Sequence, residues 1–313
     1  MKYISDTRNK PFQPYPQGLY DPRFEHDACG VGMICHLKGE RSHAIVQDAL
    51  KILGNLSHRG ACGCDEATGD GAGILMQMPH AFLRRVVEGF QLPEEGEYGA
   101  GSVFLPPDFE QAEVCTRLLA EAVQEAGGVL LGWRRMPVDD QSIGDLARRA
   151  EPMIRQVFIG RKPGLENEAA FERQLYLIRK MAEKAVVKSN LPQKGYFHIP
   201  SLSCRTLVYK GMFLADQVGP YYPDLSHPEM ASALALVHQR YSTNTFPSWD
   251  LAQPFRFLCH NGEINTLRAN INWMNARQHL FQSETFGDDI RKLLPITTPG
   301  ASDSAILDRK SVV

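Results

Sequence analysis

The sequence predicts a mixed α/β protein with strands enough for two sheets and helices on their outside. Two observations carry this. Short apolar runs alternate with longer segments whose apolar residues recur every three to four positions. The pattern also starts abruptly at Cys29: residues 1–28 are rich in Pro, Tyr, Asp and Arg, carry neither period, and read as an extended arm.

"CGVGMICH" (29–36) reads as a buried strand. The next segment, "SHAIVQDALKILGNLSHRG", sets Ile45, Val46, Ala49, Leu50, Leu53 and Leu56 at helical spacing and closes on Gly60. A second strand, "GILMQM", is entered through the tight "TGDGAG". "GSVFL" and "GVLLGWRRM" are strands around the helical "DFEQAEVCTRLLAEAVQEAG", and "PMIRQVFIG" leads into a long charged helix over 166–188. "YFHIPSLSCRTLVYKGMF" reads as a pair of strands and "ASALALVHQRYST" as another. A further strand is expected to end at His260-Asn261-Gly262. Beyond it, "TLRANINWMNARQHL" sets Leu267, Ile271, Met274 and Leu280 on one helical face. The chain ends in "TTPGASDSAILDRKSVV", a helix entry with nothing after it to cover its apolar face, which reads as one domain of a longer protein.

Composition narrows the function. Lys plus Arg number 34 against 36 Asp plus Glu, a net charge of −2. No basic field marks a nucleic-acid or anionic-membrane partner. No run approaches the roughly 18 apolar residues of a membrane span, and the N-terminus lacks a secretory core, so a cytoplasmic protein is expected. Seven scattered cysteines read as free thiols. Cys62-Gly-Cys64 with His58 has no second ligand pair at a zinc-like spacing, so no metal is expected.

The segment "HQRYSTNTFPSWDLAQPFRFLCHNGEIN" (238–265) delivers an arginine, Arg240, and an Asn261-Gly262 pair at two strand ends. A guanidinium suits a carboxylate. A side-chain amide beside a glycine N–H is a donor pair of the kind that stabilises an oxyanion, although Asn-Gly alone is a common turn signal. Cys29 supplies a nucleophile. If the arm is removed, its α-amino group, with a pKa of about 7.7 to 8, suits a general base. Gly30 and Gly32 permit close approach to the thiol. Taken singly, a cysteine opening a strand is ordinary core.

"CGVG", "LSHRGACGCDEATGDGAGIL", "SCRTLVYKGM", "HQRYSTNTFPSWDLAQPFRFLCHNGEINT" and "SDSA" together resemble the class II glutamine amidotransferases, and the second of them resembles the glutaminase domain of glutamate synthase large subunits in particular. The resemblance runs in order from Cys29 to about Leu307. It implies an α+β, N-terminal nucleophile fold: a four-layer αββα sandwich of two mostly antiparallel sheets. Residues 1–28 would be a removed propeptide, 29–308 the amidotransferase domain, truncated at its end, and 309–313 a divergent tail. Cys29 would be nucleophile and, through its amine, base; Asn261 and Gly262 the oxyanion hole; Arg240 the partner of the glutamine α-carboxylate and Asp303 of its α-ammonium. Arg59, Tyr241 and Thr243 would shape the pocket. Taken alone, Arg59 is a solvated helix-end cation and Asp303 a helix cap.

The implied activity is hydrolysis of L-glutamine, with the ammonia used elsewhere in the full-length protein for reductive glutamate synthesis from 2-oxoglutarate. FMN, an iron–sulfur cluster, and ferredoxin or a small NAD(P)H-oxidising subunit would belong to those other parts; no cofactor is expected in this chain. The rival readings are another N-terminal-cysteine amidotransferase or amide hydrolase, and an inactive fragment serving only as an interaction domain.

Overall fold

The computed structural model describes residues 18, 19, 21, 29–62, 65–240, 246–297 and 300–310. Tyr241, Thr243 and all but three residues of the arm therefore lie outside the described residues.

Among the described residues, seven strands form two antiparallel sheets. The first has the order β1 (Val31–Cys35), β7 (Leu234–Gln239), β2 (Ala72–Gln77), β6 (Thr206–Gly211); the second has β3 (Tyr98–Leu105), β5 (Met153–Gly160), β4 (Val129–Arg135). The helices are α1 (His43–Asn55), α2 (His80–Val86), α3 (Phe109–Glu125), α4 (Asp145–Arg149), α5 (Glu168–Lys188), α6 (Val218–Tyr221), α7 (Leu267–Arg277), α8 (Ile290–Leu293) and α9 (Asp303–Lys310). Two long helices start on side-chain caps: Asp108 accepts from the Gln111 N–H at 2.9 Å, and Asn167 from the Ala170 N–H at 2.9 Å.

Register decides which residues meet. Ile74 pairs with Tyr209 on one side and Val237 on the other, so these three share a sheet face. They form one core with Ile45, Val46, Ala49 and Leu53 of α1 and with Phe104, Ile154 and Phe158 of the second sheet. Val103, Leu105, Val157 and Ile159 point to the other side of the second sheet, into a core completed by Leu119 and Val123 of α3 and Phe171, Leu175 and Ile178 of α5. Helices thus pack against both sheets, the α+β composition of an αββα sandwich. A buried bidentate pair, Arg134 to Asp224 at 2.7 and 2.8 Å, ties β4 to the turn before β7.

Five expectations need correction. The segment 29–36 is not a buried strand: no residue of β1 is buried, and Met33 is 63% exposed. Of the strand pair in 196–213 only β6 forms; His198 and Ser203 make isolated bridges to Phe104 and Ala100. Residues 257–262 form no strand, because the backbone groups of His260 bond to side chains instead of a ladder. The predicted inner face of α7 is not buried: the helix buries no residue, and Leu280 is 77% exposed. Conversely, most of the apolar face of α9 is covered: Ala305 and Ile306 are buried, while Leu307 stays exposed.

Candidate active site

The site follows from strand direction. β1 and β7 are antiparallel, so the chain enters β1 where it leaves β7. There the Gln239 N–H donates to the Gly30 carbonyl at 2.8 Å. One residue on, the Arg240 N–H donates to the Gly71 carbonyl at 2.8 Å, just before β2 starts. Three adjacent strands therefore deliver Cys29-Gly30, Arg240 and Asp70-Gly71 to the same edge.

A cavity of about 480 Å³ opens at this edge. Arg59, Arg240, Asn261, Gly262 and Asp303 all line it, and so do the buried His238 and Gln253. Cys29 is exposed and is not among the lining residues. Its neighbour Gly30 is in contact with the site: a Cβ there would stand 2.9 Å from Asn261 Nδ2. Cys29 thus leads into the site through Gly30, and five of the remaining sequence-predicted residues converge on one hollow from four separate segments.

The electrostatics are those of a cation site with acidic surroundings. Arg240 is buried; desolvation lowers its pKa, while Asp70, Asp250 and Asp303 oppose the shift. Arg59 carries a buried Nε with no hydrogen-bond partner among the described residues, a donor position that a bound acceptor would complete. Asp303 Oδ2 accepts the Ile264 N–H at 2.7 Å, and its Oδ1 accepts the Ser304 N–H at 2.6 Å. That carboxylate both faces the cavity and holds the loop after Gly262. Burial, followed by the proximity of Cys29, pushes the Cys259 thiol up to about 12. Although only two residues from Asn261, Cys259 is a protonated, inert thiol.

His238 is almost fully buried, and burial pushes its imidazole down to about 4, against a smaller upward effect of the Asn261 side chain and the His260 backbone. Its Nε2 lies 3.1 Å from the His260 carbonyl, which fixes the neutral tautomer as Nε2–H. Nδ1 makes no well-formed hydrogen bond, although the Asn261 amide lies beside the ring. Sequence reasoning assigned no role to Gln253 or Asp70. Gln253 stood inside a recognised motif, but only the folded geometry shows what its amide reaches.

An arginine for a carboxylate, an aspartate for an ammonium, an amide and glycine N–H for a developing oxyanion, and a thiol at the adjoining strand start can together bind a free amino acid and attack its side-chain carbonyl. Residues 29–311 match the family described as glutamine amidotransferases class-II. The chain belongs to that family, and its fold is the N-terminal nucleophile sandwich of the family. It is 49% identical over 295 residues to the glutamate synthase [NADPH] large chain of Bacillus subtilis, covering 94% of this chain and 19% of that protein. It is 44% identical over 317 residues to the glutamate synthase [NADH] of Schizosaccharomyces pombe, covering 98% and 15%. Against the chloroplastic ferredoxin-dependent glutamate synthase 2 of Arabidopsis thaliana it is 39% identical over 298 residues, covering 95% and 18%. The chain thus spans about a fifth or less of the length of these relatives.

Proposed function

We propose that this chain hydrolyses L-glutamine to L-glutamate and ammonia through a thioester on Cys29. What supports the reading most is the convergence of Arg59, Arg240, Asn261, Gly262 and Asp303 on one cavity beside the start of β1.

Removal of residues 1–28 frees the α-amino group of Cys29. Arg240 holds the α-carboxylate of glutamine and Asp303 its α-ammonium, which places the side-chain amide over the thiol. Arg59, Tyr241 and Thr243 complete the pocket. The Cys29 amine takes the thiol proton, and the sulfur bonds to the amide carbon while the carbonyl electron pair moves to oxygen. The Asn261 amide and Gly262 N–H donate to that oxygen. Collapse of the tetrahedral species breaks the C–N bond, and the nitrogen takes the proton from the Cys29 ammonium and leaves as ammonia. Water, deprotonated by the same amine, then cleaves the thioester to glutamate and the free thiol.

In the longer protein to which such a domain belongs, the ammonia passes to 2-oxoglutarate for reductive glutamate synthesis. FMN and an iron–sulfur cluster serve that second reaction, fed by ferredoxin or a small NAD(P)H-oxidising subunit. No step above uses either group. A cytoplasmic setting with reduced thiols suits a cysteine nucleophile.

The test combines intact mass with turnover. Expression should yield a chain starting at Cys29 that releases ammonia from glutamine and not from other amides, with loss of turnover in Cys29→Ala. A uniform mass retaining residues 1–28, together with no ammonia release, would sink the reading.

A further inference from the structure

Oxyanion donors work only when their directions are fixed before charge develops. Residues 257–262 have no strand partner to fix them, so the backbone just before Asn261 is held another way. The His260 N–H donates to Gln253 Oε1 at 3.1 Å, and Gln253 Nε2 donates to the His260 carbonyl at 3.2 Å. One carboxamide thus takes both polar groups of one residue, as a strand partner would. The same carbonyl accepts His238 Nε2–H at 3.1 Å. Both side chains are at least nine-tenths buried, with Gln253 at 6% exposure and His238 at 1%.

Gln253 is itself anchored. Lys210 Nζ donates to the carbonyls of Asp250 at 2.7 Å and Ala252 at 2.8 Å, and the Gln253 carbonyl lies 2.8 Å from where a Cβ on Gly73 would be. Beyond the donor pair, Asp303 Oδ2 holds the Ile264 N–H at 2.7 Å. The segment is therefore pinned at 260 and at 264. A full ladder would also engage the backbone between those points; two pins leave the Asn261 amide and the Gly262 N–H to face the cavity.

We propose that Gln253 is a positioning residue: its carboxamide fixes the His260 backbone and so aims the Asn261 and Gly262 donors at the oxyanion formed over Cys29. This rests on the glutaminase reading above. It is separate from binding of the amino-acid end of glutamine, which falls to Arg240 and Asp303.

Gln253→Met keeps the side-chain length and removes both hydrogen bonds; Gln253→Glu keeps the acceptor for the His260 N–H and loses the donor. Misplaced catalytic groups cost on the order of 10²-fold. Gln253→Met is therefore expected to lower kcat about 10- to 100-fold, with KM for glutamine within about twofold, and Gln253→Glu to fall between it and the parent. If the effect runs through the donor pair, it must shrink where one of the pair is removed: in an Asn261→Ala background, where only the Gly262 N–H is left to aim, the same change should lower kcat by a clearly smaller factor than in the parent. Equal losses in both backgrounds, or a loss carried by KM, would overturn the proposal. If Gln253→Met does not fold, Gln253→Glu decides by the same cycle. If the parent protein releases no ammonia from glutamine, the glutaminase reading fails, and amide exchange of His260 decides the clamp. Faster exchange in Gln253→Met with β7 unchanged supports it; unchanged exchange refutes it.

Discussion

Gly30 and Asn261 are in contact: a Cβ at position 30 would stand 2.9 Å from Asn261 Nδ2, and only 2.3 Å from the Gln239 carbonyl oxygen. The residue after the nucleophile has room for hydrogen and nothing larger. Gly30→Ala must therefore push β1 away from β7 or displace the Asn261 amide. Overpacking of this kind costs about 1 to 3 kcal/mol. We expect a protein that still unfolds cooperatively but releases ammonia at least about tenfold more slowly. Thermal unfolding and an ammonia assay on the same sample check this. Parental turnover would mean that the contact does not constrain the donor.

Asn261→Ala removes one donor of the pair without touching the thiol. Loss of one such donor typically costs about 10² to 10³ in kcat. Alkylation of Cys29 by iodoacetamide, which develops no oxyanion, should proceed at the parental rate. Slowed alkylation would place Asn261 in thiol activation instead, and near-normal turnover would remove it from the mechanism.

Arg240→Lys tests substrate selection. The guanidinium is buried among the fields of Asp70, Asp250 and Asp303, and a lysine there keeps the charge but loses the planar fork that matches a carboxylate. A charge-assisted hydrogen bond contributes about 1.5 to 3 kcal/mol, so kcat/KM should fall about 10- to 100-fold, carried mainly by KM. That signature is opposite to the one expected for Gln253. A kcat effect at constant KM would assign Arg240 to alignment of the reacting amide rather than to capture of the amino acid.

How much of this was readable in the sequence depended on whether the signal was local. The β2 and β7 strands announced themselves as apolar runs, and α1 by its period, because burial dictates residue type directly; β1 carries a similar run although none of its residues is buried. Cys29, Arg240, Asn261 and Gly262 were legible through motif chemistry, and Asp303 only through the family resemblance, but their convergence depends on the register of β1, β7 and β2. The α7 face failed because a period shows which residues could be buried, not whether anything packs against them. Residues 257–262 failed for a related reason. "FLCH" is apolar enough for a strand, yet its backbone partner is a glutamine side chain at 253, and no propensity encodes a side-chain-to-backbone pairing. Arg59 reads alone as a solvated helix end, and only the fold shows its Nε buried beside the cavity.

His238 gives the site a pH signature in stability. Its imidazole titrates at about 4 in the folded protein against 6.5 when unperturbed, chiefly because burial disfavours the charged ring. The folded value is the depressed one, so above pH 6.5 both states hold a neutral ring and the group contributes no pH dependence. Between 6.5 and about 4 the unfolded chain binds the extra proton and the folded chain does not, so stability falls as pH drops through that window. By about pH 4.5 the loss amounts to about 2 to 3 kcal/mol. His238→Gln retains a donor for the His260 carbonyl and does not titrate. Urea unfolding at about pH 7 and about pH 4.5 should show the parent losing about 2 to 3 kcal/mol more than the variant. Equal losses would mean that the buried ring accepts its proton without cost, its Nε2–H still donating to the His260 carbonyl and its new Nδ1–H offset by a partner.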